Sequence, residues 1–347
     1  MHHVSLEFRH IAHAYGEIEA LREISFTAPA GEITCLLGAS GCGKSTLLNL
    51  AAGLLKVQQG AVYAGGALLA DGGHHPPPEQ RPVGLVFQEG ALFPHMTIAA
   101  NIGFGLPRAR QREVAGWLDA VGLGGMGDRY PHALSGGQQQ RAALARAMAP
   151  GPQVLLMDEP FASVDIVLRR KLRRDCRMLL RARGTTTLLV THDPAEALDI
   201  ADRIAVMEGG QIVQFGTPFE LHDAPATAAV GAIFSGAQIV PGTMGEGGFA
   251  TAFGVWPLAT AKPAATGGLL RVGQAVDLLV HAERLDLVAD KAGARVVDIH
   301  PVGEITRVLL EGAGGAQITV ETRAAVAAGV RYRIVPHPES LRAFPRD

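Results

Sequence analysis

Ile33-Thr34-Cys35-Leu36-Leu37-Gly38-Ala39-Ser40-Gly41-Cys42-Gly43-Lys44-Ser45-Thr46 joins a short apolar run to a glycine-rich loop, a lysine and two hydroxyl residues. Ile33 to Leu37 reads as a buried strand. Lys44 to Ala52 reads as a helix closed by Gly53. A GxxxxGK[ST] loop between strand and helix is a phosphate cradle. Its glycines let the backbone curl until successive N–H groups face phosphate oxygens, and the helix N-terminus adds its dipole. Gly38, Ser40, Gly41, Cys42, Gly43 and Thr46 are therefore expected around a nucleotide's phosphates. Lys44 is expected to reach the β- and γ-phosphates, and Ser45 to ligate Mg²⁺.

Working outward, the first part of the chain, to about Phe234, alternates short apolar runs with helical patterns, which predicts an α/β core around a largely parallel sheet. Residues from about 90 to 150 are rich in helix formers and read as a separate helical lobe. Val164, Leu168, Leu172 and Leu179 are expected on one face of a helix over Asp165 to Arg183, with arginines opposite. Asp193-Pro194-Ala195-Glu196 reads as a helix start, with a capping Asp, Pro in the first turn and Glu at the capping-box position. After Gln238 short alternating strands appear between glycine turns, among them Ala275 to Val280, Ala294 to Ile299, Thr306 to Leu310, Gln317 to Val320 and Arg331 to Val335. That pattern predicts a small all-β, barrel-like domain over 238–347 behind a nucleotide-binding domain over 1–237.

A length of 347 residues with 48% hydrophobic and 18% charged residues supplies the core for both domains. The net charge of -2 argues against a nucleic-acid partner. No run approaches the ~18 apolar residues of a membrane span. The N-terminus lacks the basic and apolar segments of a signal peptide. Cys35, Cys42 and Cys176 show no CxxC or metal spacing, which fits a reducing interior; Cys35 and Cys176 read as small buried residues. Together these traits predict a soluble cytoplasmic chain.

Val154 to Asp158 is an apolar strand ending in a carboxylate, which puts Asp158 at the sheet's C-terminal edge, within reach of Mg²⁺. Glu159 follows it. Gln88 and His192 each come just after a strand, and taken alone each is an ordinary loop residue. Tyr15 precedes Gly16 ahead of the phosphate loop, where its ring could stack on adenine or simply pack. Leu134-Ser135-Gly136-Gly137-Gln138-Gln139-Gln140-Arg141 opens a helix running to Met148 with Ser135 and the N–H groups of Gly136 and Gly137, an anion-binding end.

These motifs, in this order, resemble those of the ATP-binding-cassette (ABC) ATPases over about residues 4 to 237. The resemblance implies a P-loop NTPase fold with a helical subdomain, and ATP and Mg²⁺ as cofactors. It implies Glu159 as the base for the attacking water, Gln88 as a lid residue touching Mg²⁺ and water, and His192 as the contact to the γ-phosphate. It also implies a head-to-tail dimer of two copies, in which Ser135, Gly137 and Asp165 act across the interface on the partner's ATP. Phe87-Gln88-Glu89-Gly90-Ala91-Leu92-Phe93-Pro94-His95-Met96-Thr97 and the β-rich tail are similar to the ATPase subunits of binding-protein-dependent bacterial importers. Such subunits carry an OB-like, TOBE-type extension, and they serve ferric iron, polyamine, sulfate, molybdate and sugar systems. The tail departs from the sugar type, since Val280-His281-Ala282-Glu283-Arg284 stands where an Arg-Pro-Glu-like string is expected. The expectation is an inorganic ion such as ferric iron, or a polyamine, carried by separate permease and periplasmic binding-protein chains. The site of action is then the cytoplasmic face of the inner membrane. The rival class is a non-transport ABC ATPase acting on ribosomes or nucleic acid. One cassette, near-neutral charge and no dense aromatic and basic interleaving in the tail weigh against it.

Overall fold

Leu6 and Phe8 alternate inward at the start of the chain, and a bulge at Arg9 and His10, where His10 takes φ 50°, shifts the inward set to Ile11 and His13. This strand, β1 (Leu6–Tyr15), is followed by β2 (Ile18–Ala28), β3 (Ile33–Leu37), α1 (Lys44–Ala52), β4 (Gln59–Ala64) and β5 (Ala67–Asp71). Then come β6 (Val83–Val86), α2 (Ile98–Gly103), α3 (Val114–Ala120), α4 (Gly136–Met148) and β7 (Val154–Asp158). The first unit ends with α5 (Ile166–Arg183), β8 (Thr186–Thr191), α6 (Pro194–Ile200), β9 (Arg203–Glu208) and β10 (Gln211–Gly216). The structure, a computed structural model, describes residues 4–88, 92–162, 164, 166–263 and 270–346.

The expected parallel sheet is present, in the order β10-β9-β3-β8-β7-β6. The five strands from β9 to β6 run parallel and only the edge strand β10 is antiparallel, joined to β9 by the Gly209-Gly210 turn with φ 53° and 82°. Ile33–Leu37 is buried on both faces, as a central parallel strand requires. A second, antiparallel sheet in the order β2-β1-β4-β5 packs its Leu6, Phe8, Ile24 and Phe26 into one core with Leu47, Leu48 and Leu50 of α1 and Leu156, Leu188 and Val190 of the parallel sheet. The phosphate-loop helix is thus clamped in the centre of the unit.

On α5 the buried stripe is Leu172, Arg173, Cys176 and Leu180, whereas Leu168 is exposed. The expected face is therefore rotated, and one arginine lies inside. Three acidic side chains around Arg173 are the reason, described below. Cys35 and Cys176 are buried free thiols, pushed up by burial, Cys176 to about 12.

The compact units divide between Pro218 and Phe219. The division falls at α7 (Pro218–Asp223), which leads to α8 (Ala228–Ser235). Ala228 of α8 and Ala237 pack with Leu279 and Phe344 of the β-rich part, and Gly231 approaches Leu279 so closely that a Cβ there would lie 2.5 Å from its Cδ2. The strands begin at Gln238: β11 (Gln238–Met244), β12 (Gly248–Thr251), β13 (Gly254–Pro257), β14 (Ala261–Pro263), β15 (Ala275–Val280) and β16 (Leu285–Val302). They continue with β17 (Ile305–Glu311), β18 (Gln317–Thr322), β19 (Arg331–Pro336) and β20 (Leu341–Pro345). Two sheets result, β13-β12-β11-β15-β20-β14 and β18-β17-β16-β19, around a core that includes Phe249, Trp256, Leu278, Val308, Val320 and Ile334. The second unit is all-β apart from its leading helices and short 3-10 turns, as its glycine-punctuated sequence predicts.

Candidate active site at the carboxyl edge of the parallel sheet

Parallel pairing sets four loops abreast. Leu37 pairs with Thr191, Val190 with Asp158, and Met157 with Val86. The chain leaves the sheet on one edge at Gly38, His192, Glu159 and Phe87-Gln88, although these positions are far apart in sequence. Loops at the carboxyl ends of parallel strands are where such sheets bind ligands.

The glycine loop is shaped by close approach. A Cβ on Gly38 would lie 2.3 Å from the Met207 carbonyl oxygen, and one on Gly43 would lie 2.4 Å from that of Ala20. Gly43 also takes φ 102° as the N-cap of α1 and offers no side-chain cap, and the first turn holds no acidic residue. An anion therefore meets the N–H groups of that turn without competition from a carboxylate. Ser40 and Gly41 stand exposed at the crest. Lys44 is buried, its ammonium donating to the carbonyls of Gly38 at 2.7 Å and Ala39 at 2.8 Å, with the Cys42 thiol at 3.7 Å. Alkylation of Cys42 is therefore expected to abolish ATP binding, and saturating Mg·ATP to protect the thiol. Equal labelling with and without nucleotide, read by mass spectrometry, would contradict this.

Ser45 Oγ donates to Asp158 Oδ1 at 3.3 Å, bringing two of the three expected metal ligands together. Burial raises the Asp158 carboxyl above its ordinary value, with the Glu159 charge adding to the shift and the Ser45 hydrogen bond and Lys44 opposing it. A buried carboxylate facing a neighbouring carboxylate favours a cation nearby, so the donor set fits Mg²⁺. Tyr15 is half exposed, its hydroxyl 3.4 Å from Thr46 Oγ1 and its ring edge-on to His13 at 4.8 Å. The ring is tied to the start of α1 with its outer surface open.

Glu159 has φ 41°, an uncommon conformation for a side-chain-bearing residue, and its N–H donates to the Val190 carbonyl at 3.0 Å. Its Oε1 lies 3.0 Å from His192 Nδ1. Gln88 is exposed at the end of β6, the strand beside β7. Beyond it, the loop 93–97 is pinned by the fully buried Asn101, whose amide bonds the backbone of Phe93, Met96 and Thr97.

Ser135 caps α4. Its Oγ accepts the Gln138 N–H at 3.4 Å, and its own N–H donates to Gln138 Oε1 at 2.9 Å. Among the described residues its hydrogen bonds stay within that turn, and none reaches the loop at Gly38–Thr46. Gly137 has open space around it. Asp165 lies outside the described residues, as do Glu89, Gly90, Ala91 and Ser163.

Glu196 departs from the expected capping box. It is buried, and it accepts the Thr191 hydroxyl at 3.0 Å instead of bonding the Asp193 N–H, which donates to Thr191 Oγ1 at 3.0 Å. Asp193 still caps α6 by accepting the Ala195 N–H at 2.9 Å. The buried Arg173 supplies the counter-charge, 2.5 Å from Asp193, 3.5 Å from Glu196 and 3.4 Å from Asp199. Periodicity could not reveal this cluster, because its members come from two helices and a strand end.

Comparison with known proteins adds the following. A family model described as ABC transporter matches residues 21–162, and one described as TOBE domain matches residues 260–344. An Fe(3+) ions import ATP-binding protein of Pseudomonas fluorescens is 44% identical over 247 residues, covering 70% of this chain and 70% of that protein. A sulfate/thiosulfate import ATP-binding protein of Chromobacterium violaceum is 38% identical over 346 residues, covering 96% of this chain and 93% of that protein. A crystal structure of a nucleotide-free ATP-binding cassette from an ABC transporter superposes with a TM-score of 0.55 at 26% identity, covering 62% of this chain and 91% of that one.

Proposed function

This chain belongs to the ABC transporter family as an import-type ATP-binding subunit with a TOBE-type tail, and on that premise we propose that it hydrolyses ATP to drive uptake of an inorganic ion through separate permease subunits. The observation that carries the reading is the convergence of Lys44, Ser45, Asp158, Glu159 and His192 on one sheet edge, with Glu159 and His192 in contact. Ferric iron and sulfate are named for the relatives above, so a small inorganic ion is the substrate class that the similarity favours, without ranking the two.

In this reading Lys44 and the N–H groups of the Gly38–Thr46 loop bind the β- and γ-phosphates of ATP. Tyr15 stacks on adenine, a contact worth about 1 kcal/mol, which tunes affinity without creating it. Ser45, Asp158 and Gln88 would hold Mg²⁺, which, when bound, neutralises charge between the phosphates. Glu159 accepts a proton from the attacking water, while Gln88 and His192 orient it. Ser135, Gly137 and Asp165 complete the site of a second copy. The capped N-terminus of α4 supports this, since its bonds are local and Gly137 is open to an incoming phosphate. Two ATP molecules then hold two copies together, and hydrolysis releases them. Closure drives the permease only by as much as ATP prefers the closed pair.

The surface beyond Gln88 suits the permease contact. Phe93, on the loop that Asn101 holds, lies 4.6 Å from Phe104 at the end of α2, which is 61% exposed. Among the described residues no helix is long and apolar enough to cross a membrane, so attachment at the cytoplasmic face would come through those subunits. Pull-down of the tagged protein from its native membrane, followed by mass spectrometry, is expected to recover a multi-span permease. Recovery of ribosomes or nucleic acid in its place would keep the ATPase chemistry and overturn transport.

A further inference from the structure

His192 is held from both sides by one hydroxyl. Thr191, buried at the end of β8, donates to Glu196 Oε2 at 3.0 Å and accepts the Asp193 N–H at 3.0 Å, so the residues flanking His192 are tied together through the first turn of α6. Arg173 of α5 locks the far side of the same turn through Asp193 and Glu196. A cavity of about 100 Å³ lined by Glu159, Arg169, Thr191, His192, Asp193 and Glu196 makes this network continuous with the Glu159–His192 pair.

Capping does not account for Glu196. Asp193 already caps α6, and Glu196 Oε1 has no partner among the described residues although it is buried. Keeping a carboxyl there costs desolvation, which is repaid only through what the group holds in place. Besides facing Arg173 at 3.5 Å, it holds the Thr191 hydroxyl, and with it the path of the chain into and out of His192.

We propose that Glu196, acting through Thr191, is a positioning residue that sets the His192 imidazole against Glu159 and the γ-phosphate. The proposal rests on reading His192 as the γ-phosphate contact. An imidazole displaced by about 1 Å would still leave ATP bound by Lys44 and the glycine loop, but would slow the chemical step by up to about 100-fold.

Steady-state ATPase kinetics test this. Thr191→Val keeps the side-chain shape but removes the hydroxyl, and Glu196→Leu removes its acceptor. Each is expected to lower kcat by about 10- to 100-fold with the KM for ATP changed less than about 2-fold. Thr191→Ser and Glu196→Gln preserve the bond and are expected to keep kcat close to that of the native chain. In a His192→Ala background, Thr191→Val is expected to cause no further loss, because the two act as one unit. Thr191→Ala serves the same comparisons if the valine variant does not fold. An unchanged kcat in both hydroxyl-less variants, beside an impaired His192→Ala, would overturn the proposal. So would a full second loss in the double variant, or an effect confined to KM. If His192→Ala itself turns over normally, the reading of His192 fails instead.

Discussion

Glu159→Gln loses steady-state ATP hydrolysis by about two to four orders of magnitude, the usual contribution of a positioned general base, while ATP affinity is retained. The substitution is isosteric, so the left-handed turn at φ 41° and the N–H bond to Val190 are kept, and the amide oxygen still faces His192 Nδ1. Only the ability to take a proton is removed. Lys44 and the Gly38–Thr46 loop, proposed to bind the phosphates, run from the end of β3 into the first turn of α1 and are untouched. With binding intact and hydrolysis stopped, the two-copy ATP complex accumulates, and sizing chromatography in Mg·ATP should find the variant as a dimer. Unchanged phosphate release would remove Glu159 from its role. Stopped hydrolysis with a monomer at saturating ATP would leave the base in place and remove the shared site.

Arg173→Met has the largest expected effect on stability, about 3 kcal/mol lost at pH 8, measured by denaturant unfolding. Breaking a buried ion pair costs roughly 3–5 kcal/mol because it strands the partner charge. The low end applies here, since Asp193 and Asp199 keep contact with water and only Glu196 is deeply buried. The sign of the pH dependence follows from the two carboxyls. Burial pushes Glu196 from its ordinary 4.5 up to about 7, against the opposing pull of the Thr191 hydrogen bond and the Arg173 charge. Its contribution to stability is therefore fully present below pH 4.5 and lost as pH rises through 7, a loss of roughly 3 kcal/mol. Burial also opposes ionisation of Asp193, but the hydrogen bond and charge of Arg173 and the N–H groups of Ala195 and Glu196 outweigh it and hold its carboxyl low. That contribution is present above the ordinary value of 3.8 and lost as pH falls through the lowered one. Removing Arg173 takes away a lowering influence on both groups, so the variant loses least at acid pH, below the lowered value of Asp193 where both carboxyls are protonated, more once Asp193 ionises, and most above neutrality. A loss independent of pH would show that the cavity left by the side chain, and not the charge, governs the effect.

Much of the site was legible in the chain because its parts are local. The span from Ile33 to Gly53 encodes strand, cradle and helix within one stretch, and both glycine caps of α1 are where spacing places them. Ser135 and Gln138, three residues apart, form the cap that their types predict, and Gly209-Gly210 forms the hairpin turn. The antiparallel sheet was harder to see, because the bulge at Arg9 and His10 breaks the two-residue period of β1. Equally hidden was α8, whose apolar sequence reads alike whether it joins the preceding core or packs on β15 and β20.

Short-range order thus wrote the phosphate cradle, the acidic strand end and the capped helix of the helical lobe into contiguous residues, where backbone preference and side-chain spacing act over a few positions. Packing alone decided which charge went inside. Arg173 looks like one more surface arginine until α5 lies against α6 and brings Asp193, Glu196 and Asp199 around it, and Glu196 looks like a helix cap until β8 delivers the Thr191 hydroxyl to it. A charge can leave water only where partners from distant segments meet it, and that meeting exists only once the sheet and its helices have assembled.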